Sequence, residues 1–259
     1  MTRTIRAELA KLATLRMTYG MLVAAAGVTA LFTSLQARRS GNRVPPISTM
    51  AGLSTVTTAH AIGMMLAAVL GVIAANGEFR HNSATSTYLA TPNRSKVLLA
   101  KIVAILPFGA LYGIVAGAIS TGVGLAFVAG RGDEVTLSSA ALTGHIFGAA
   151  VGAAALAAIG VAVGSLVRSQ IAAVIGVFIW CLVIESVVGA NVTSVRPYLP
   201  YTASTTLGGA KLGAAAFGPQ FQISGQSPLP FIAALLVLVA IGAVVAAVAA
   251  RTVVRADIQ

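Results

Sequence analysis

The sequence predicts an all-α membrane protein with six transmembrane helices and both termini on the cytoplasmic side. Three observations lead there. Of 259 residues, 57% are hydrophobic and only 9% are charged, with a mean hydropathy of +0.91; a soluble domain carries about 25% charged residues and uses them to cover its surface. The apolar residues gather into six runs, each long enough to cross a hydrocarbon core about 30 Å thick, which takes about 20 helical residues. The 17 Lys and Arg residues, against 6 Asp and Glu, fall between those runs, as loop residues flanking membrane spans do. A soluble domain, a disordered chain and a disulfide scaffold are thereby excluded. Nucleic-acid binding needs a basic patch on a solvated fold, and no such fold is expected here. The single cysteine, Cys181, lies in an apolar run and forms neither an intrachain disulfide nor a cysteine-based metal site.

The elements follow in order. Residues 1–16 place Ile5, Leu9 and Leu12 on one face, the pattern of an amphipathic helix lying in the interface. The first span, 17–35, is longer than the 7–15 residues of a signal-peptide core and has no convincing cleavage site, so it is expected to be retained. The second span covers 55–75 and the third 97–128, where Pro107 is expected to kink the helix. The fourth (142–167) and fifth (171–190) are separated only by Arg168, Ser169 and Gln170, a tight helical hairpin, and the sixth covers 231–250. Helices are expected throughout, because an open strand edge in lipid leaves backbone groups unpaired. With the N-terminus inside, cytoplasmic segments hold eleven Lys and Arg residues and outer segments six, which favours both termini inside; Arg38, Arg39 and Arg43 count against it.

The third span carries Gly109, Gly113 and Gly117, and the fourth carries Gly144, Gly148, Gly152, Gly160 and Gly164. A four-residue repeat aligns such glycines on one face, where helix backbones approach closely. Motifs for catalysis are missing. The sequence has no GxxxxGK[ST] phosphate loop and no HExxH helix. Its three histidines, His60, His81 and His145, are far apart, and no aspartate lies in any span. Ser165 and Ser186 have no base nearby in sequence, as a nucleophilic serine requires. The chain is therefore not expected to be an enzyme or to hold a metal or cofactor itself.

The inner segment 77–96, between the second and third spans, is too polar for the bilayer yet patterned: Gly77-Glu78-Phe79-Arg80-His81-Asn82-Ser83, then Thr85 to Leu89, Pro92, Asn93 and Arg94. Ser83 to Leu89 forms about two helical turns, Pro92 ends them, and Asn93 or Ser95 caps the next helix. This run, continued by Val97-Leu98-Leu99-Ala100-Lys101, resembles the inner loop of ABC type-2 permeases, the membrane subunits of bacterial ATP-binding-cassette exporters. Glu8-Leu9-Ala10-Lys11-Leu12 and Leu15-Arg16 are similar to the family's interfacial helix, and Arg196-Pro197-Tyr198-Leu199-Pro200 to part of its outer segment. The resemblance implies a permease in the bacterial cytoplasmic membrane that pairs with a second permease copy or a homologous one, with two copies of a separate ATPase subunit holding ATP and Mg. It implies that 77–96 is a coupling loop seated on that ATPase: Glu78, Phe79 and Arg80 anchor it, Thr85 and Leu89 face the ATPase, and Asn82, Pro92 and Arg94 complete the motif. Asn82-Ser83 stands where the family often has Gly-Thr; asparagine tolerates the left-handed turn. The resemblance also implies short re-entrant helices within 191–230 that cap the translocation path.

Glu185 is the only acidic residue within a span, and such a charge is a functional candidate by default. With His60 and His145, also in the outer thirds of their spans, it forms a possible translocation or gating set. The alternatives are snorkelling or pairing with an outer-loop arginine. Two other functions stay open at this point: a secondary transporter or channel using Glu185 and the histidines, and a membrane anchor for a cytosolic partner.

Overall fold

The computed structural model describes residues 1–39, 57–80, 94–132, 138–167, 169–209 and 229–255. Helix accounts for 92% of them, and none forms a strand. Six helices are long and apolar enough to cross a membrane, beginning at Arg16, His60, Ser95, Ser139, Gln170 and Phe231. The fold is thus that of a multi-pass membrane protein, as the composition predicts.

Helix α1 (Thr2–Thr14) buries Glu8 and Leu12 and half-buries Ile5 and Leu9, the face picked out by periodicity. It ends where Leu15 turns extended. Thr18 Oγ1 donates to the Leu12 carbonyl at 3.1 Å and the Tyr19 hydroxyl to the Ala13 carbonyl at 3.0 Å. These bonds satisfy carbonyls that a helix end leaves unpaired, and they tie α1 to the next helix, α2 (Arg16–Arg39).

After a short 3₁₀ turn (Thr57–Ala59), α3 (His60–Arg80) enters the centre of the bundle. Helix α4 (Arg94–Gly130) is continuous through Pro107 and is about 55 Å long at 1.5 Å per residue. Helix therefore includes residues 77–80 and 94–96, which the sequence assigned to the loop, and Ser95 lies inside α4 rather than capping it. Nothing between Gly77 and Arg80 stops a helix, since a single glycine costs only about 1 kcal/mol. The two helical turns expected at 83–89 lie outside the described residues.

Three contacts hold α1 and α2 alongside α4 at one register. Lys101 Nζ meets Glu8 Oε2 at 3.1 Å, 93 residues apart. The Tyr112 hydroxyl donates to the Thr18 carbonyl at 2.6 Å, and Arg131 Nη2 to the Ala37 carbonyl at 2.8 Å, each pair 94 residues apart. A constant offset means that α2 runs parallel to α4. Glu8 also pairs with Lys11 at 3.0 Å, so one buried carboxylate serves a half-exposed and a buried ammonium.

Helix α5 (Ser139–Leu166) starts at Ser138, whose side chain accepts the Ala141 N–H. It packs closely against both α3 and α4, because glycines remove the spacing side chains at the crossings. A Cβ on Gly109 would lie 2.8 Å from Ala154 Cα, and one on Gly164 would lie 2.9 Å from Val72 Cα, both tighter than real contacts. Such close backbone approach is what small residues supply inside a membrane. The fifth crossing begins with α6 (Gln170–Ile179), capped by Ser169. It continues as a π-helical segment (Trp180–Ile184) and then α7 (Glu185–Asn191). A 3₁₀ turn (Arg196–Tyr198) leads to the short α8 (Pro200–Leu207), and α9 (Phe231–Arg255) closes the bundle.

Candidate functional site

The site forms around α8. Its N-terminal end meets Glu185 and its C-terminal end meets the two histidines. At the N-terminal end the capping position is Leu199, which has no side-chain acceptor to offer. Pro200, at the first helical position, has no N–H to satisfy. The next two N–H groups are taken by a residue from another helix: Tyr201 donates to Glu185 Oε1 at 2.7 Å and Thr202 to Oε2 at 2.8 Å. The Thr202 hydroxyl adds a bond to Oε2 at 3.0 Å, and the Ala203 N–H already reaches the Leu199 carbonyl at 2.7 Å. Glu185 thus caps α8 in place of an N-cap residue.

The π segment positions this carboxylate. Its wide turn lets the Glu185 N–H bond to the Trp180 carbonyl, five residues back, so the two side chains leave the helix on the same side. The Trp180 indole then donates to Glu185 Oε1 at 2.9 Å. In an ordinary α-helix residues five apart do not share a face, and π-bulges recur at functional positions for this reason. With four donors Glu185 is 3% exposed.

At the other end, His145 Nδ1 hydrogen-bonds the Gly208 carbonyl. A carbonyl only accepts, so Nδ1 carries the proton. Nε2 of the same ring faces Ser120 Oγ on α4 at 3.3 Å, while Ser120 donates to the Gly117 carbonyl at 3.0 Å. His60, fully buried, meets the His145 ring edge to face at a centroid distance of 4.6 Å and an angle of 87°. A helix carries partial positive charge at its N-terminus and negative charge at its C-terminus. A carboxylate at the start of α8 and an imidazole N–H at its end match both.

Glycines of α5 let α8 sit this deep. The Leu207 carbonyl lies directly against Gly148, and the Ser204 carbonyl is 2.5 Å from where a Gly152 Cβ would be. Ala203 and Leu207 pack on Ala234 and Leu238 of α9. The short helix is therefore wedged among α5, α7 and α9, and Arg196, just ahead of it, is buried with its Cγ and Cδ on Gly189.

Of the three intramembrane candidates, His60 and His145 touch, and Glu185 stands apart at the opposite end of α8, about 12 Å away along eight residues. Among the described residues Glu185 is held by uncharged donors, and it is buried. Glu78, Phe79 and Arg80 form the last turn of α3, and Arg94 is the first residue of α4; their side chains, and all of Asn82, Thr85, Leu89 and Pro92, lie outside the described residues. Sequence reasoning passed over Trp180, Ser120, Tyr201, Thr202 and Gly208, and also the Glu8–Lys101 pair. One signal was available: Leu199-Pro200 opens a helix without a capping side chain, so an acceptor has to come from elsewhere.

Among the described residues no group of three His, Cys, Asp or Glu side chains is arranged to hold a metal. In comparison with known proteins, the chain matches no family model and no curated protein. The fold and site define its class: a six-span helical membrane protein with a capped short helix buried between its fifth and sixth crossings.

Proposed function

We propose that this chain is the permease subunit of a bacterial ATP-binding-cassette exporter, paired with a second permease and driven by ATP hydrolysed, with Mg, on a separate ATPase subunit. In this reading both termini and the 81–93 loop face the cytoplasm, and the protein sits in the bacterial cytoplasmic membrane. The observation that carries it is the anchoring of the loop's two roots. Helix α3 runs unbroken to Arg80, α4 starts at Arg94, and the buried Glu8–Lys101 pair clamps α1 to α4 two turns beyond that start. Two long, closely packed helices anchored in this way transmit a push at their ends instead of absorbing it. Helix α3 is about 31 Å long, and its far end is His60, against His145 and beside Gly208. Movement at the loop thus reaches α8, which in this reading caps the translocation path on the outer side.

The test is co-purification in mild detergent with an ATPase carrying a Walker A motif, followed by coupling measurements. Glu78→Lys and Phe79→Ala are expected to leave basal ATP hydrolysis in place while transport falls; full coupling in both removes the docking assignment. The His60–His145–Ser120 contact favours one rival, a proton-driven transporter. Transport that survives collapse of the proton gradient and stops without ATP eliminates that rival. An anchor for a cytosolic partner shows no transport under either condition.

A further inference from the structure

The protons around His145 do not add up for a neutral ring. Nδ1 carries one, because it bonds the Gly208 carbonyl, which only accepts. Nε2 faces Ser120 Oγ at 3.3 Å, and that hydroxyl gives its single proton to the Gly117 carbonyl at 3.0 Å. With these bonds in place, a neutral ring sets the Nε2 lone pair against an oxygen that has no proton left to share. A second ring proton removes the conflict. Nε2–H then donates to Ser120 Oγ, and Ser120 donates to Gly117.

The neutral ring is served by one rotation of the Ser120 hydroxyl, which then donates to Nε2. The Gly117 carbonyl loses nothing essential, because it lies inside α4, where α-helical geometry gives it the Thr121 N–H, four residues on. Every donor and acceptor is therefore satisfied whether the ring holds one proton or two, although Ser120 is 0% exposed. The added charge has a counterpart as well. Gly208 directly follows the last residue of α8, where a helix carries partial negative charge. From α3 the titratable group facing His145 is His60, edge to face at 4.6 Å; α4 presents Ser120, α8 the Gly208 carbonyl and α9 the Phe231 ring, stacked on Phe147. Glu185 lies at the far end of α8, and Arg131 of α4 is bonded to the Ala37 carbonyl. His145 is part-exposed and stands about 10 Å from the start of α5 at Ser138, which gives protons a short way in.

We propose that His145 is a proton-binding site with Ser120 as its two-way hydrogen-bond partner, and that the bound proton tightens the seat of the C-terminal end of α8. The sign follows from linkage. Protonation places positive charge against the Gly208 carbonyl, so acid favours the seated helix, and seating favours the proton by the same factor. The site does not rest on the transport reading, since binding a proton is not the same as being driven by one.

The experiment labels the histidine rings of the whole protein with a nitrogen isotope and records their NMR spectra in mild detergent between about pH 5 and pH 8. The His145 ring, assigned by its loss in His145→Gln, is expected to pass from one N–H to two on acidification while the fold is kept. If His145→Gln does not fold, the spectra of His60→Gln and His81→Gln assign the ring by elimination. Ser120→Ala is expected to lower the charged-to-neutral ratio at a given pH by about tenfold, because a charged donor loses more with its partner than a neutral acceptor does. Amide exchange at Thr206 to Gly209, corrected for its intrinsic pH dependence, is expected to slow about two- to fivefold toward the acid end in the wild type, and to stay level in His145→Gln. A ring that stays neutral throughout, an unchanged ratio in Ser120→Ala, or an acid response of α8 that persists in His145→Gln each overturns the proposal.

Discussion

Glu185 Oε1 accepts the main-chain N–H of Tyr201, 16 residues further on, at 2.7 Å. The bond joins the fifth crossing to the first turn of α8, and with the Thr202 bonds to Oε2 it makes the carboxylate a helix cap supplied from outside the helix. Two opposed needs meet in it: an acidic side chain within a span requires compensation, and an uncapped helix start requires an acceptor.

Removing that acceptor destabilises the protein. Glu185→Ala leaves two buried N–H groups of α8 and the Trp180 indole without their partner, and each unsatisfied buried donor costs about 1–3 kcal/mol. Water entry and relaxation recover part, so a loss of about 2–4 kcal/mol is expected in detergent unfolding titrations. Glu185→Gln keeps one acceptor oxygen and is expected to lose about half as much. A residue whose main role is to carry protons behaves the other way: its glutamine variant keeps stability and loses transport.

The two ends of α8 are predicted to open independently. Glu185→Ala should raise hydrogen exchange first at Tyr201 and Thr202, whose amides it holds. His145→Ala removes the bond to the Gly208 carbonyl and should raise exchange first toward Thr206 to Gly209. Equal protection loss along the whole helix in both variants would mean that α8 opens as one unit, against this assignment.

The Glu8–Lys101 pair yields an asymmetric prediction. Lys101→Ala leaves Glu8 with Lys11 at 3.0 Å, whereas Glu8→Ala removes the carboxylate that the buried Lys101 ammonium meets at 3.1 Å. Breaking a buried pair from one side costs about 3–5 kcal/mol. Glu8→Ala is expected in that range and Lys101→Ala clearly below it, and the double variant Glu8→Leu with Lys101→Met is expected to regain much of the loss. Unfolding midpoints of the three variants check the order.

The spans were legible in the sequence because membrane crossing is a local demand: about 20 apolar residues in a row. The six apolar runs correspond to six helices long and apolar enough to cross a membrane, and the α1 face of Ile5, Leu9 and Leu12 emerged from the same kind of short-range pattern. The site was half legible. Glu185, His60 and His145 stood out as polar residues in apolar runs, but their partners are 16 and 63 residues away and mostly main-chain atoms, which leave no mark in a residue pattern. The π segment hid Trp180, since a helical wheel of 3.6 residues per turn puts positions 180 and 185 on different faces. Lys101 read as a topology signal because its partner, Glu8, lies 93 residues earlier.

The glycine repeat of α5 shows the same limit and gives a prediction with an internal control. Gly144 and Gly148 sit four residues apart in one repeat and look equivalent in sequence. In the fold, a Cβ on Gly144 meets nothing within 4 Å, while one on Gly148 collides with the Leu207 carbonyl. That carbonyl belongs to the backbone at the end of α8 and cannot rotate aside, so accommodating Ala at 148 requires the short helix to lift from α5. Gly148→Ala is expected to lose about 3 kcal/mol, the upper range of overpacking, and to raise exchange across α8 and weaken its contacts to His60. Gly144→Ala gains the helix preference of alanine, up to about 1 kcal/mol, and is expected to leave α8 untouched. Unfolding midpoints and amide exchange on the two single variants decide the matter. Equal effects would show that the repeat serves general helix packing, whereas opposite signs identify Gly148 as the notch that receives α8.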